Sequence, residues 1–111
     1  MKELTECLIK SGADINNINF ERSPLNLSIE KNNEDIFLCL INHGADVNQM
    51  DRNGDTPLTL AIIKKNKNMI NYLIDHGAKI NQMNYRKELP LILAMNTKYD
   101  IIVKYLIDHG A

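Results

Sequence analysis

Three things are scarce in this sequence: long apolar runs, an excess of charge of one sign, and cysteine. No apolar run approaches the ~18–20 residues needed to span a bilayer, and the first residues, MKELTECLIKSG, lack the long apolar stretch of a signal peptide. The net charge is −1, and acidic and basic residues are interleaved. The chain therefore has no basic face for a phosphate-dominated partner such as DNA. These absences argue against membrane insertion and against nucleic-acid binding.

Cysteines and catalytic motifs are also few. Cys7 and Cys39 are the two cysteines, too few for a disulfide scaffold at this chain length. We therefore expect an intracellular, cytoplasmic location, in a host cell if the chain comes from a virus or an intracellular microbe. No Gly-rich phosphate loop occurs, and no nucleophile elbow surrounds Ser11, Ser23 or Ser28. The sequence predicts no enzyme, no cofactor and no catalytic residue.

What the sequence has instead is an internal repeat. The dipeptide Gly-Ala recurs at 12–13, 44–45, 77–78 and 110–111, and the first of these three steps is one position shorter than the other two. Pro-Leu recurs at 24–25, 57–58 and 90–91, in two equal steps that match the longer Gly-Ala step. The short step comes from a one-residue deletion between Asn16 and Ser23, which predicts a loop there. No unit this small can bury its own apolar face, so neighbouring units must stack.

Each unit has the pattern of two helices. Ser23 and Thr56 are good N-caps, and a proline suited to the first helical position follows each of them. The segments after them, such as PLTLAIIKKN, carry apolar residues at spacings of three and four. A second helix, such as KNMINYLIDHG, closes at a glycine suited to the left-handed conformation. The stretch that follows ends in a turn, for which Asn53-Gly54 is a strong signal.

These residues resemble the ankyrin repeat. The residues that match the family pattern in one full unit are Thr56-Pro57-Leu58, Ala61, Tyr72-Leu73-Ile74, Gly77-Ala78 and Asn81, with Asp51 and Gly54 in its turn signature. The resemblance covers the whole chain and implies an all-α solenoid of stacked antiparallel helix pairs with projecting β-turn or hairpin loops. It implies one domain, 1–111, made of a half repeat at 1–16 and repeats at roughly 17–48, 49–81 and 82–111.

The chain departs from the family pattern at three kinds of position. Asn26, Thr59 and Ile92 replace the histidine that follows Thr-Pro-Leu in the family. Leu89 replaces the capping Thr, so we expect a weaker start of the helix at 90–96, by about 1 kcal/mol. Asn32, Lys65 and Lys98 replace the glycine that often divides the two helices. Asn tolerates the left-handed region there better than Lys does.

His43, His76 and His109 recur once per unit. A shared zinc needs ligands about 2 Å from one ion, whereas stacked helices lie ~8–10 Å apart. We therefore interpret these histidines as helix-end residues and predict no metal site. The two cysteines also share one register, and one stacking step exceeds the ~7 Å limit between the Cα atoms of a disulfide. We therefore interpret them as packing residues.

Successive turns and first helices of such a stack form a concave surface, which resembles the surface that ankyrin proteins use to hold other proteins. The partner-facing positions carried over from the family are, in the turns, Ile18, Phe20, Met50, Arg52, Asn53, Asp55, Met83, Tyr85, Arg86 and Glu88, and, at the exposed ends of the first helices, Glu30, Lys31, Ile63, Lys64, Asn96 and Thr97. Phe20, Arg52 and Tyr85 are of types enriched at interfaces. Alternatively, Ile18, Met50 and Met83 merely cover the base of each turn.

Two functions stay open. The first is a non-enzymatic protein-protein interaction module that binds a protein partner of unknown identity through the concave face. The second is a structural or adaptor segment of a longer ankyrin array that tethers or positions another domain. Its motivation lies at the ends: residues 2–10 align with a second helix, and Tyr105, Leu106 and Ile107 resemble an interior unit rather than a polar cap. Such uncapped ends would favour self-association.

Overall fold

The computed structural model describes residues 24–51 and 54–111. These residues form six α-helices: α1 Pro24–Glu30, α2 Glu34–Asn42, α3 Pro57–Ile63, α4 Lys67–Asp75, α5 Pro90–Asn96 and α6 Asp100–Asp108. Helices α1 and α2, α3 and α4, and α5 and α6 pack as pairs, and α3 lies between α1 and α5. The predicted all-α stack of helix pairs is confirmed, and no β-strand occurs in the two described ranges.

Several predictions concern residues outside those ranges. They are the half repeat at 1–16, the Ser23 cap, Cys7, and four of the partner-facing residues, namely Ile18, Phe20, Arg52 and Asn53.

The first helix of each pair begins as its sequence predicts. Pro24, Pro57 and Pro90 are the first helical residues, where the missing N–H breaks no helical bond. Thr56 forms a capping box, because its Oγ1 accepts from Thr59 N at 3.1 Å and its own N donates to Thr59 Oγ1 at 3.1 Å. Leu89 has no side-chain cap hydrogen bond, so α5 begins without the contact on which the expectation of a weaker start was based.

The second helix of each pair ends in the same way, which explains the recurring Gly-Ala. Gly44, Gly77 and Gly110 have φ of 90°, 94° and 103°, a conformation that favours glycine. In the first of these turns, Ala45 N donates to Leu40 O at 3.0 Å and Gly44 N donates to Ile41 O at 3.1 Å. Both bonds provide a donor for carbonyl groups that would otherwise lack a hydrogen-bond partner at the helix end. The equivalent bonds close α4 and α6.

The turns between paired helices use left-handed residues. Asn32, Lys65 and Lys98 have φ of 57°, 55° and 57°, as the family pattern implied. The first helices therefore stop at Glu30, Ile63 and Asn96. The first two end earlier than the apolar pattern indicates, and the third ends where the sequence predicted. Asn33 and Asn66 then cap α2 and α4 through their side chains. Tyr99, in the same register, provides no side-chain cap for α6.

The core is built from the same positions in successive units. Leu40, Leu73 and Leu106 share one register and are all buried. Ile29 and Ile62 share another, and neither exposes any surface. Cys39 is buried too, as expected of a packing residue, and its thiol is free. Each fully buried aliphatic side chain contributes about 1.5–3 kcal/mol, so regular stacking supplies the stability that a single unit lacks.

Candidate functional site

The turn at 51–55 is organised by the buried carboxylate of Asp51. Asp51 Oδ1 accepts from Asp55 N at 3.1 Å, and Asp51 N donates to Asp55 O at 3.1 Å. Asp51 Oδ2 accepts from Asn26 Nδ2 at 3.0 Å, and that amide also donates to Asp55 O at 3.1 Å. Asn26 belongs to α1 and is completely buried. It therefore joins the first helix of one unit to the turn that leads into the next.

The turn at 84–88 repeats this arrangement around Asn84. Asn84 Oδ1 accepts from Arg86 N at 2.9 Å and from Glu88 N at 3.1 Å, and its Nδ2 donates to Glu88 Oε1 at 3.0 Å. Lys87 has φ of 61°, where the preceding turn has Gly54 with φ of 81°. The left-handed lysine went unpredicted. Its sequence signal is its position one full repeat after Gly54.

Adjacent turns touch each other directly. Tyr85 N donates to Gly54 O at 2.9 Å. A Cβ on Gly54 would collide with the Cβ and ring of Tyr85, so this glycine is required both by its φ and by its neighbour. The contact fixes the backbone of Tyr85 while its side chain stays 55% exposed. The backbone that carries this aromatic side chain is thus fixed at the edge of the turn row.

Behind this turn row lies a groove with a volume of about 430 Å³. Its walls come from two turns and from the ends of α1 and α3. The lining residues are Glu30, Asp55, Leu60, Ile63, Lys64, Asn84, Tyr85, Arg86 and Glu88. Ile63 is 45% exposed on this side of α3. The groove therefore pairs an exposed apolar side chain with an aromatic wall and carries charges of both signs.

Seven of the predicted partner-facing residues meet in this groove: Glu30, Asp55, Ile63, Lys64, Tyr85, Arg86 and Glu88. Five more lie outside it. Lys31 and Asn96 are exposed at helix ends, Thr97 is half-buried beside Asn96, and Met50 and Met83 are 37% and 46% exposed. Sequence reasoning missed Leu60 and Asn84, which are largely buried and contribute to the floor and wall.

The guanidinium of Arg86 interacts with the side chain of the adjacent Tyr85. Arg86 Nε donates to the Tyr85 hydroxyl at 2.6 Å, and the guanidinium lies 5.2 Å from the ring centroid. This hydrogen bond, with a further electrostatic effect of Tyr85 and the carboxylates of Glu88 and Asp55, raises the pKa of Arg86 above its ordinary value. Arg86 and Tyr85 therefore present a cationic guanidinium beside an aromatic ring, side chains that can stack on aromatic rings and pair with carboxylates.

The three histidines are accounted for by the helix ends. Nδ1 of His43, His76 and His109 lies 2.7, 2.8 and 2.8 Å from the carbonyl oxygens of Cys39, Tyr72 and Tyr105. A carbonyl can only accept, so each ring nitrogen is the donor to a last-turn carbonyl. No group of three or more His, Cys, Asp or Glu side chains within 24–51 and 54–111 is arranged to hold a metal ion.

Comparison with protein families identifies the repeat. A family model described as ankyrin repeats (3 copies) matches residues 1–84. The chain belongs to the ankyrin repeat family. The matched segment includes α1 to α4, and α5 and α6 extend the same ankyrin arrangement beyond it. A search of the curated proteins found no match.

Family membership carries general expectations. Ankyrin repeats are in general protein-protein interaction modules, and the family is typically non-enzymatic. None of the described ankyrin helices is long and apolar enough to cross a membrane.

Proposed function

We propose that this ankyrin repeat domain is a non-enzymatic module that binds a protein partner through its concave face. The observation that carries the proposal is the groove behind the turn row, where seven residues chosen from the family pattern lie side by side. Among the described residues, the proposed surface extends along the turns and helix ends through Lys31, Met50, Met83, Asn96 and Thr97. The proposal also includes Ile18, Phe20, Arg52 and Asn53. We also propose the division into a half repeat at 1–16 and repeats at roughly 17–48, 49–81 and 82–111, and a cytoplasmic location.

Exposure and rigidity support this surface. Tyr85 and Ile63 are 55% and 45% exposed, although each could bury substantial apolar area against a partner. Tyr85 is already fixed at its backbone by Gly54. Binding to a residue whose backbone is already ordered loses less conformational entropy than binding to one whose backbone is mobile. Tyrosine and arginine are also the types that dominate interface energetics, and here they lie side by side.

The proposal is tested by partner capture with matched variants. Proteins retained by the native chain are compared with those retained by Ile63→Ser/Tyr85→Ala and by Ile101→Ser. Ile101 is 62% exposed on α6 and does not line the groove. We expect partners that bind the native chain and the Ile101→Ser variant but are weakened at least 10-fold by the groove variant, a loss of about 1.4 kcal/mol or more.

Circular dichroism spectra and melting temperatures of both variants must match those of the native chain, so that a loss of binding cannot be attributed to a loss of folded structure. If every captured protein bound the groove variant as tightly as the native chain, the concave surface would be the wrong assignment.

A further inference from the structure

A second, shallow cavity adjoins the groove behind the turn row. It has a volume of about 240 Å³ and lies at the turns between paired helices. Lys64 lines both cavities, so the two form one continuous surface. We call the second one the lysine cavity, because its lining consists of Lys64, Lys65 and Lys67, three asparagines and Tyr99. A polypeptide that leaves the groove beside Lys64 therefore passes directly into the lysine cavity.

The two cavities differ in charge. The groove lining combines the carboxylates of Glu30, Asp55 and Glu88 with the cations of Lys64 and Arg86. The described residues that line the lysine cavity include three cations and no carboxylate. A concave surface with charge of one sign focuses the electrostatic potential and attracts groups of the opposite sign. The lysine cavity therefore favours an anionic group, whereas the groove does not.

The positive charge of the lysine cavity is not neutralised within the described part of the chain. None of its three ammonium groups is paired with a carboxylate of residues 24–51 or 54–111. Glu34 and Asp100 occupy the register of Lys67 in the neighbouring units, but neither lines the cavity. All three lysines are exposed. Their ammonium groups are therefore available to a partner.

The backbone around the lysine cavity is fixed by contacts between units. Asn66 Nδ2 donates to Asn32 Oδ1 at 2.6 Å. The Tyr99 hydroxyl donates to Lys65 O at 3.1 Å. Asn66 Oδ1 also accepts from Met69 N at 3.1 Å and so caps α4. Because the turn is already ordered, binding an anionic group would restrict only the lysine side chains.

We propose that the partner held in the groove presents an extended acidic segment, an inference that rests on the proposed function. An apolar side chain of this segment packs against Ile63 and Tyr85, and its Asp or Glu carboxylates lie in the lysine cavity. The exposed apolar surface of Ile63 and Tyr85 favours the first part, and charge complementarity favours the second. Lys64 stands at the junction and serves both.

The groove carboxylates favour an acidic peptide over a nucleic acid. A nucleic acid strand carries a phosphate at every nucleotide. A strand that filled the lysine cavity and continued into the groove would bring further phosphates against Glu30, Asp55 and Glu88, and such like-charge contacts are unfavourable. A peptide can place its carboxylates in one cavity and an apolar side chain in the other.

Selection from a random peptide library tests the composition of the segment. Peptides of about 12 residues, which extend over ~40 Å, are selected on the native chain. We expect the enriched peptides to carry several Asp or Glu residues close to an apolar or aromatic residue. Their dissociation constants should rise several-fold between about 50 and 500 mM salt, because the ion pairs are exposed and salt screens them.

Matched variants locate the acidic part of the segment. Lys65→Gln/Lys67→Gln removes two charges from the lysine cavity and none from the groove. Lys79→Gln/Lys104→Gln removes two exposed charges that line neither cavity. The enriched peptides should bind the first variant about 3- to 10-fold more weakly, as two exposed ion pairs predict, and the second less than about 2-fold more weakly. Both variants should melt at the same temperature as the native chain.

The groove variant Ile63→Ser/Tyr85→Ala separates this inference from the proposed function. It should also weaken binding of the enriched peptides, by at least about 10-fold. Peptides that depend on Ile63 and Tyr85 but not on Lys65 and Lys67 would overturn the acidic segment and leave the groove as a protein-binding site. Peptides that depend on the two lysines alone would contradict both, because the groove would then take no part in binding.

Three further outcomes would overturn the acidic segment. The first is enrichment of neutral or basic peptides. The second is a selection that enriches no peptide, because the occupant would then not be a linear segment, while partner capture would still test the groove. The third is a single-stranded RNA oligonucleotide that binds the native chain more tightly than any peptide and with the same dependence on Lys65 and Lys67.

Discussion

At the residue scale, several of the contacts that join the repeats run from a side chain of one unit to the backbone of another. Asn48 uses both ends of its amide on the peptide groups of Gly77 and Lys79, and Tyr99 reaches the carbonyl of Lys65. Gln82 adds a longer bond to the carbonyl of Asn48, at 3.3 Å. These bonds fix the register of one unit on the next, while the buried aliphatic side chains supply most of the stacking free energy.

Asn48→Ala should therefore destabilise the domain. It removes two side-chain hydrogen bonds at a partly exposed site, so we expect a loss of about 1–2 kcal/mol in the free energy of unfolding. Asn81→Ala is the matched control, because Asn81 has the same register and an exposed side chain, and it should cost less than about 0.5 kcal/mol. Urea denaturation of both variants measures the difference. Equal losses would show that the Asn48 bonds contribute no stability of their own.

At the element scale, helix starts differ in quality although their geometry is the same. Helix α3 begins with two reciprocal Thr–Thr bonds, whereas α5 begins at Leu89 with no side-chain bond. Both starts have a proline at the first position and an extended residue before it. The repeat therefore determines the backbone path, and the local residue determines how well that path is stabilised.

Leu89→Thr should stabilise the domain by about 0.5–1 kcal/mol, because its hydroxyl would accept from Ile92 N as Thr56 Oγ1 does from Thr59 N. Leu89→Val is the control, since valine has the shape of threonine without the acceptor. Thermal and urea unfolding of the two variants should separate them by that amount. If valine stabilised as much as threonine, a backbone effect rather than the cap would be responsible.

Helix positions and ends were predictable because glycine and proline impose backbone conformations that depend little on tertiary context. The regular repeat period then transferred the left-handed turns to Asn32, Lys65 and Lys98, where propensity alone disfavours lysine. The Asn26–Asp51 bond and the Asn48 contact were not predictable from pattern alone. Each joins residues that are far apart in the sequence through side-chain geometry, and asparagine is frequent throughout this chain.

At the scale of the whole molecule, the candidate surface arises only when units stack. Glu30 comes from α1, Ile63 and Lys64 from α3 and the following turn, and Tyr85 from the turn before α5. The family pattern indicated which residues face a partner, but the groove and its buried floor depend on the offset between successive pairs. Sequence spacing does not provide that offset.

The middle helix pair should be the most protected from hydrogen exchange. Helices α3 and α4 are covered by α1/α2 on one side and by α5/α6 on the other, whereas the α5/α6 pair leaves Ile92, Met95 and Ile107 exposed. In a one-dimensional array, covered units open least often. Amide protection factors in α3 and α4 should exceed those in α5 by about 10-fold or more, equivalent to about 1.4 kcal/mol. Finding α5 to be the slowest-exchanging helix would contradict this picture.

The Asn48 contact also bears on how such a chain can grow. Its amide recognises peptide groups, which are the same whatever side chains the next unit carries. A duplicated repeat would therefore contain its own equivalent of Asn48. The backbone of any neighbouring repeat would offer the peptide groups that this amide binds. Turn and groove residues could then diverge in each new copy without a compensating change at the joint, so length and specificity can evolve separately.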